Sequence, residues 1–298
     1  MITMSNINEG DQLGAQMGQF AMLSFIAEEN KQELVFTNKQ LKEGRGLKFL
    51  EPFQINCKVI ADKDFTDKNT FINKYIFAEK FFYTIRPQKG NDLDARLLNL
   101  SPKRNYNILG PFGLYKQYSS LNLYSIFSFK EEIAFKAKSN IARIKQQTAN
   151  SKQQTANSKQ LVSIHYRRTD YLALASLNLD DAYYLKALEL FPSCHYKLCV
   201  FSDDIDYCKR IKYLERYESF FSEDNEAAVD MCMMTLCDHN IIANSSFSMW
   251  GAILNQNLDK KVICPKQYIG ERDQEYSYIN GNYYPQDWIA LDLHELKA

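Results

Sequence analysis

From residue 161 to the C-terminus, short apolar runs of strand length alternate with stretches of helical period. Leu161 to Tyr166, Lys197 to Phe201, His239 to Ala243 and Val262 to Cys264 are the apolar runs and predict strands. Between them, Asp180 is placed to cap a helix over 181–190 that Pro192 stops. Further helices are predicted over Ile205 to Leu214, over Ala227 to Cys237 with its Met231, Met233, Met234 and Leu236, and over Ser246 to Leu254. Strands alternating with helices predict a parallel sheet with right-handed crossovers. Ligands of such sheets sit beyond the carboxyl ends of the strands. Three polar clusters stand at those ends here: His165 to Asp170, Ser202 to Asp204, and Asn244 to Ser246.

The first half is less regular. A Gly-containing loop, Glu9 to Gly14, leads into a helical stretch over residues 12–29, and Glu33 to Phe36 reads as a short strand. Such a loop can present backbone N–H groups to an anion or a hydroxyl. Phe53 to Ile60 and Phe71 to Phe82 are rich in aromatic and β-branched residues but follow no period, and Gly110 to Tyr115 is turn-rich. Phe129 to Ile144 predicts a helix through Ile133, Ala134, Ala137, Ile141 and Ile144. The heptapeptide Lys145 to Ser151 then recurs as Lys152 to Ser158. It lacks apolar positions from which a core could be built, so it predicts an exposed linker or a helix extension. The expected organisation is an N-terminal domain over 1–145, a repeat linker over 146–160 and a C-terminal domain over 161–298.

Composition narrows the function. Apolar residues are 45% of the 298 and charged residues 24%, as in soluble globular enzymes. Formal net charge is zero, which argues against nucleic acid as a partner but permits a local basic pocket. The seven Cys are irregular: Cys194 and Cys199, and Cys232 and Cys237, are each separated by four residues rather than two, so zinc is not indicated and reduced thiols are expected. There is no apolar run of membrane-spanning length, and Met1 to Asn6 lacks the features of a signal peptide. The expected location is cytoplasmic, with peripheral contact at the inner face of a membrane as the most that is allowed.

Arg167 and Arg168 are the sharpest chemical signal. A planar guanidinium suits bidentate contact with a diphosphate and stays charged at working pH. One of the two can turn into a cleft while the other pairs with Asp170; a salt-bridged loop without ligand is the competing reading. Asn244, Ser245 and Ser246 open a helix, where free N–H groups and hydroxyls make an anion site, or simply cap the helix. Asp203 and Asp204 can accept hydrogen bonds from a ribose or a guanine edge. Asp204 to Asp206 spells D-x-D, a metal–nucleotide motif, but so do Asp62 to Asp64 and Asp92 to Asp94, so no divalent metal is expected. His165, His195, His239 and His294 show no metal-ligand spacing, and His239 reads as structural. Walker A, G-x-S-x-G and G-x-G-x-x-G patterns are missing, against NTPase, hydrolase and dehydrogenase readings.

His165-Tyr166-Arg167-Arg168-Thr169-Asp170 resembles the H-x-R-R-x-D motif of α1,2-, α1,6- and protein-O-fucosyltransferases. Phe201-Ser202-Asp203-Asp204-Ile205 resembles a segment of bacterial and animal α1,2-fucosyltransferases, glycosyltransferase family 11. Asp230 to Ala252, Tyr183 to Ala187, and Tyr284-Pro285-Gln286-Asp287-Trp288 are similar to further pieces of that family, in order across residues 161–290. Asp11 to Phe20 looks like an altered form of the family's G-G-L-G-N-Q-M-F-Q-Y loop. The resemblance implies an α/β GT-B fold, two Rossmann-like domains facing a central cleft, with the donor on the C-terminal one and the acceptor mainly on the N-terminal one. It implies inverting, metal-independent transfer of L-fucose from GDP-β-L-fucose to a hydroxyl, O2 of a β-galactoside, on a surface or lipid-linked glycan. Arg167 and Asp170 are the expected catalytic residues. His165, Arg168, Asp203, Asp204, Asn244, Ser245, Ser246 and Phe247 are expected at the donor, Gly14 and Gln16 on the acceptor side. Another GDP-sugar donor, or a sugar- or nucleotide-binding protein without activity, are the alternatives.

Overall fold

The computed structural model describes residues 1–7, 9, 12–67, 81–87, 93–110, 115–147, 159–173, 178–267 and 283–295. The chain forms two compact units, Met1–Ser128 and Phe129–Ala298.

The first unit begins with β1 (Ile2–Thr3), α1 (Leu13–Glu29), β2 (Val35–Thr37), α2 (Asn38–Lys42) and β3 (Lys58–Ile60). It continues with β4 (Thr66–Asp67), β5 (Phe81–Ile85), β6 (Asn105–Ile108) and α3 (Leu123–Ile126). Four strands pair in parallel in the order β1-β6-β5-β4, and β2 pairs in parallel with β3. The sequence is nearly unbroken in apolar residues along α1, so no polar stripe is left for solvent and the helix is buried on several sides. Phe20 of α1 meets Phe49 at 4.6 Å and Phe127 at 6.0 Å between ring centroids. The aromatic stretch over 71–82 falls largely outside the described residues, as do positions 111–114 of the turn-rich segment.

The second unit holds α4 (Glu131–Gln147), β7 (Gln160–Tyr166), α5 (Asp181–Leu188), β8 (Tyr196–Ser202), α6 (Ile205–Lys209) and β9 (Ser219–Phe221). It ends with α7 (Ala227–Thr235), β10 (His239–Ile241), α8 (Ser246–Ile253), β11 (Val262–Pro265) and β12 (Ile289–Leu291). All six strands are parallel, in the order β12-β11-β10-β7-β8-β9. Counted from β7, that is the doubly wound 3-2-1-4-5-6 order, and the direction of winding reverses between β7 and β10.

Strand alternation sends successive side chains to opposite faces. Val162, Ile164, Leu198 and Val200 pack with Tyr183, Tyr184, Ala187 and Leu188 of α5. Leu161, Cys199 and Phe201 pack on the other face with Ile133, Ala137, Ile141 and Ile144 of α4 and with Val229, Cys232 and Met233 of α7. The stripe on α4 is why the boundary expected at the repeat lies earlier: the helix belongs to the second unit, which starts at Phe129. The buried Lys197 of β8 donates to the carbonyl of Ile144 at 3.0 Å, satisfying one of the carbonyls left open at the end of α4. The repeat begins as the last residues of this helix, and 148–158 lie outside the described residues.

Two further differences have local causes. The single helix expected over 205–214 is α6 followed by a 3-10 turn, Lys212–Arg216, with Ile211 extended between them at ψ 107°. Strands β9 and β12 escape the apolar pattern because each has three residues, none fully buried. Helices α7 and α8 approach closely at Gly251, where a Cβ would stand 2.9 Å from both Cβ and Sδ of Met234.

Candidate functional site

The reversal between β7 and β10 opens a crevice at the carboxyl edge of the sheet, and the two polar clusters that flank it are the Arg loop and the start of α8. Strand β7 is buried along Leu161 to Tyr166, and the chain then emerges as Arg167 and Arg168. Asp203, at the end of neighbouring β8, gathers this loop. Its Oδ1 accepts from the backbone N–H of Arg168 at 2.9 Å, its Oδ2 from the Thr169 hydroxyl at 2.6 Å, and Nη1 of Arg167 lies 3.2 Å from Oδ2. Nη2 of Arg167 donates to Asp170 Oδ2 at 2.8 Å. On the other side, Tyr171 lies beneath the Arg167 guanidinium, 5.4 Å from its ring centroid, and donates its hydroxyl to the Asn244 carbonyl at 3.2 Å. The loop after β7 is thus tied to the strand end on each side of it.

This corrects one expectation. The two roles expected of different arginines fall to one: Arg167, beside the reversal, is also the partner of Asp170. The Arg168 side chain turns to Asp204, with Nε 3.4 Å from Oδ2, and lies over the Tyr207 ring at 3.2 Å. Asp204 also caps α6 by accepting from the Tyr207 N–H at 3.2 Å. Arg168 and Asp204 therefore brace the edge beside the crevice, and Arg167 is the guanidinium next to the reversal.

Ser245 is the N-cap of α8 with no side-chain cap bond, and Asn244 and Ser245 are buried while Ser246 and Phe247 are half-buried. A helix start of this kind carries partial positive charge through its open N–H groups. His165 is buried, with its ring 5.5 Å from that of Phe247. Burial, aided by Arg167 and opposed by Asp203, pushes its pKa down to about 4. Its imidazole is neutral near pH 7 and offers a hydrogen bond rather than a charge. Nδ1 has no hydrogen-bond partner among the described residues. His239 is structural, as expected: Nδ1 accepts from the Lys261 N–H at 3.0 Å and Nε2 meets Gln160 Oε1 at 3.3 Å.

Two consecutive tyrosines hold the crevice edge from the α5 side. Tyr184 donates to the carbonyl of His165 at 3.1 Å, and Tyr183 to that of Ile242 at 2.6 Å with Ile263 O at 3.2 Å. These ties, Tyr171 and Thr169 were not singled out from sequence, because each joins a hydroxyl to a group whose importance is set by the sheet. A further polar cluster lies past β9: the Ser222 hydroxyl donates to Asp230 Oδ1 at 2.6 Å and accepts from Asn225 Nδ2 at 2.9 Å.

In the first unit, Gly14 and Gln16 are buried in α1. Gln16 spans a turn, donating through Nε2 to Gly46 O at 3.0 Å and accepting at Oε1 from the Lys48 N–H at 2.7 Å. Both ends of its amide hold the 46–48 backbone. Gly10 and Asp11 of the preceding loop lie outside the described residues. Among the described residues no group of His, Cys, Asp and Glu could hold a metal ion, and no helix is long and apolar enough to cross a membrane.

Known proteins of similar sequence and structure point the same way. The chain is 34% identical over 142 residues to an alpha-1,2-colitosyltransferase of Escherichia coli, a stretch covering 44% of this chain and 47% of that protein. It is 35% identical over 115 residues to the O-antigen biosynthesis glycosyltransferase WbnK of Escherichia coli, covering 36% and 38%. The matches thus span less than half the length of either relative. Among solved structures, POFUT1 in complex with GDP-fucose is 15% identical with a TM-score of 0.51, over 84% of this chain and 92% of that one. The fucosyltransferase NodZ from Bradyrhizobium is 12% identical with a TM-score of 0.52, over 85% and 93%. At such identities the likeness establishes the fold, which is the GT-B type. The family model described as Glycosyl transferase family 11 matches residues 1–292, and the chain belongs to that family.

Proposed function

We propose that this protein transfers L-fucose from GDP-β-L-fucose to a hydroxyl of a surface or lipid-linked glycan, O2 of a β-galactoside, with inversion and without a divalent metal. One observation carries the reading: Arg167 and the start of α8 flank the point where the strand order reverses, which is where doubly wound sheets bind nucleotides. The acceptor oxygen forms a bond to the anomeric carbon as the bond to the β-phosphate oxygen breaks. The electron pair leaves with GDP, and the acceptor proton passes to a base or to water. Charge grows on the leaving diphosphate, and Arg167 with the N–H groups at Ser245 and Ser246 faces it. Preorganised donors of this kind usually supply the largest catalytic term. His165 and Phe247 take the nucleoside side, since a neutral buried imidazole serves a hydrogen bond better than a phosphate.

The likeness to an α-1,2-colitosyltransferase favours a second reading, in which the same site takes a different GDP-sugar. The test is to incubate the protein with GDP-fucose, or with a panel of other GDP-sugars, together with β-galactosides, and to read the product linkage by NMR. An α-fucosyl group on O2 supports the first reading. Transfer of another sugar selects the second, and GDP binding without any transfer refutes both.

A further inference from the structure

Arg167 is the cation expected to meet a diphosphate, yet two carboxylates already hold it. The two differ in how they are bound. Asp203 has a 21% exposed side chain and two donors besides Arg167, the Arg168 N–H and the Thr169 hydroxyl. If Arg167 let go, Asp203 would remain satisfied, and it would still anchor the loop. Asp170 has a 55% exposed side chain and meets Arg167 through a single nitrogen, Nη2. The carboxylate side of this pair is open to water, which solvates a released Asp170 almost as well as Arg167 does. An incoming phosphate oxygen competes for the same guanidinium edge with more charge, and Nη1 stays on Asp203 while the exchange takes place.

We propose that Asp170 is an exchangeable counter-ion of Arg167 that the ligand's phosphate displaces, and that Asp203 is a positioning residue that keeps Arg167 aimed at the crevice. Asp170 then occupies the outer edge of Arg167 until the phosphate arrives and sets a threshold for occupancy. Asp203 acts through Arg167 and not by touching the nucleoside. This rests on the GDP-sugar reading, since it takes the arriving group to be a diphosphate.

The experiment is a binding cycle with GDP as probe, on the whole chain, read by calorimetry and by ligand-detected NMR for the weak variants. D170N is expected to tighten GDP roughly two- to fivefold, the equivalent of one surface ion pair. D203N is expected to weaken it roughly tenfold or more, since a charge-assisted contact orienting Arg167 is lost. In an R167A background both effects should shrink to less than about twofold, because they pass through the removed side chain. Unchanged or weaker binding by D170N overturns the counter-ion assignment, and that arm does not depend on the loop surviving loss of Asp203. D203N that costs as much without Arg167 as with it overturns the positioning role and makes Asp203 a direct nucleoside contact. Absence of GDP binding by the unaltered protein is a different failure, visible before any variant is made: it removes the GDP-sugar reading, and this inference with it.

Discussion

Asp230 offers a quantitative check on the second unit. Its carboxylate lies in the first turn of α7, half-buried against the end of β9, and burial pushes its pKa from 3.8 up to about 6, against the pull of its bonds to Ser222 and Asn225. The folded-state value is therefore above the unfolded one. The stabilisation that goes with the protonated form is complete below about 3.8 and is lost as pH rises through about 6. Two pKa units correspond to about 3 kcal/mol as an upper bound on what the ionised carboxylate costs the native state at pH 8. Asp230→Asn keeps the shape and an oxygen for the Ser222 hydroxyl while removing the charge. It should raise stability at pH 8 by up to about 3 kcal/mol, roughly 6–12 °C in Tm for a unit of this size, with the gain vanishing toward pH 4. Thermal melts of both proteins followed by circular dichroism at pH 4.5, 6 and 8 check this. A D230N gain that does not change with pH, or a variant less stable than the parent at pH 8, refutes the argument that desolvation dominates at this site.

Other outcomes follow from the same geometry. Arg167→Ala should lower kcat/KM by about 10²–10³ in a GDP-sugar transfer assay; a loss under tenfold would remove Arg167 from its role at the leaving group. Excess EDTA should leave the transfer rate unchanged if, as proposed, positive charge at the diphosphate comes from Arg167 and the α8 start; activity lost to EDTA and restored by a divalent ion would contradict this. Gly251→Ala should cost about 1–3 kcal/mol in urea unfolding, since its Cβ would meet Met234 at 2.9 Å and force α7 and α8 apart; an unchanged midpoint would show that Met234 yields freely.

Much of the second unit is legible in the chain because its strands are buried on both faces. Leu161 to Tyr166 and Lys197 to Phe201 read as apolar runs, and polar residues appear only where the chain leaves the sheet. That change of character locates Arg167, Asp203 and Asn244 without coordinates. What it does not contain is how those residues divide their bonds. Asp170 stands two residues from Arg168 and three from Arg167, and spacing alone does not choose between them; the loop's tie to Asp203 does, by fixing the Arg168 backbone. The first unit is harder to read because its strands are short and its longest helix has no polar face from which a period could be recognised. Gln16 enters through the resemblance of Asp11 to Phe20 to a family loop, and nothing in the apolar run around it tells that its amide bonds the 46–48 backbone at both ends. The domain boundary was displaced for a related reason: low complexity marks where a core stops, whereas the packed stripe of α4 decides which core a helix joins.

The pair Tyr183 and Tyr184 has a consequence for how the edge beside the strand reversal can change. One hydroxyl reaches the carbonyl after β10, the next reaches the end of β7, and the two residues are joined by a single peptide bond. Consecutive Cα atoms are about 3.8 Å apart, a length no side-chain substitution alters. The carbonyls at the two strand ends are therefore anchored to adjacent positions of one helix, a fixed step along the chain. Loops above the two anchors can be rewritten without moving them. An insertion of one residue ahead of Tyr183 would shift both contacts together while leaving the spacing between them unchanged.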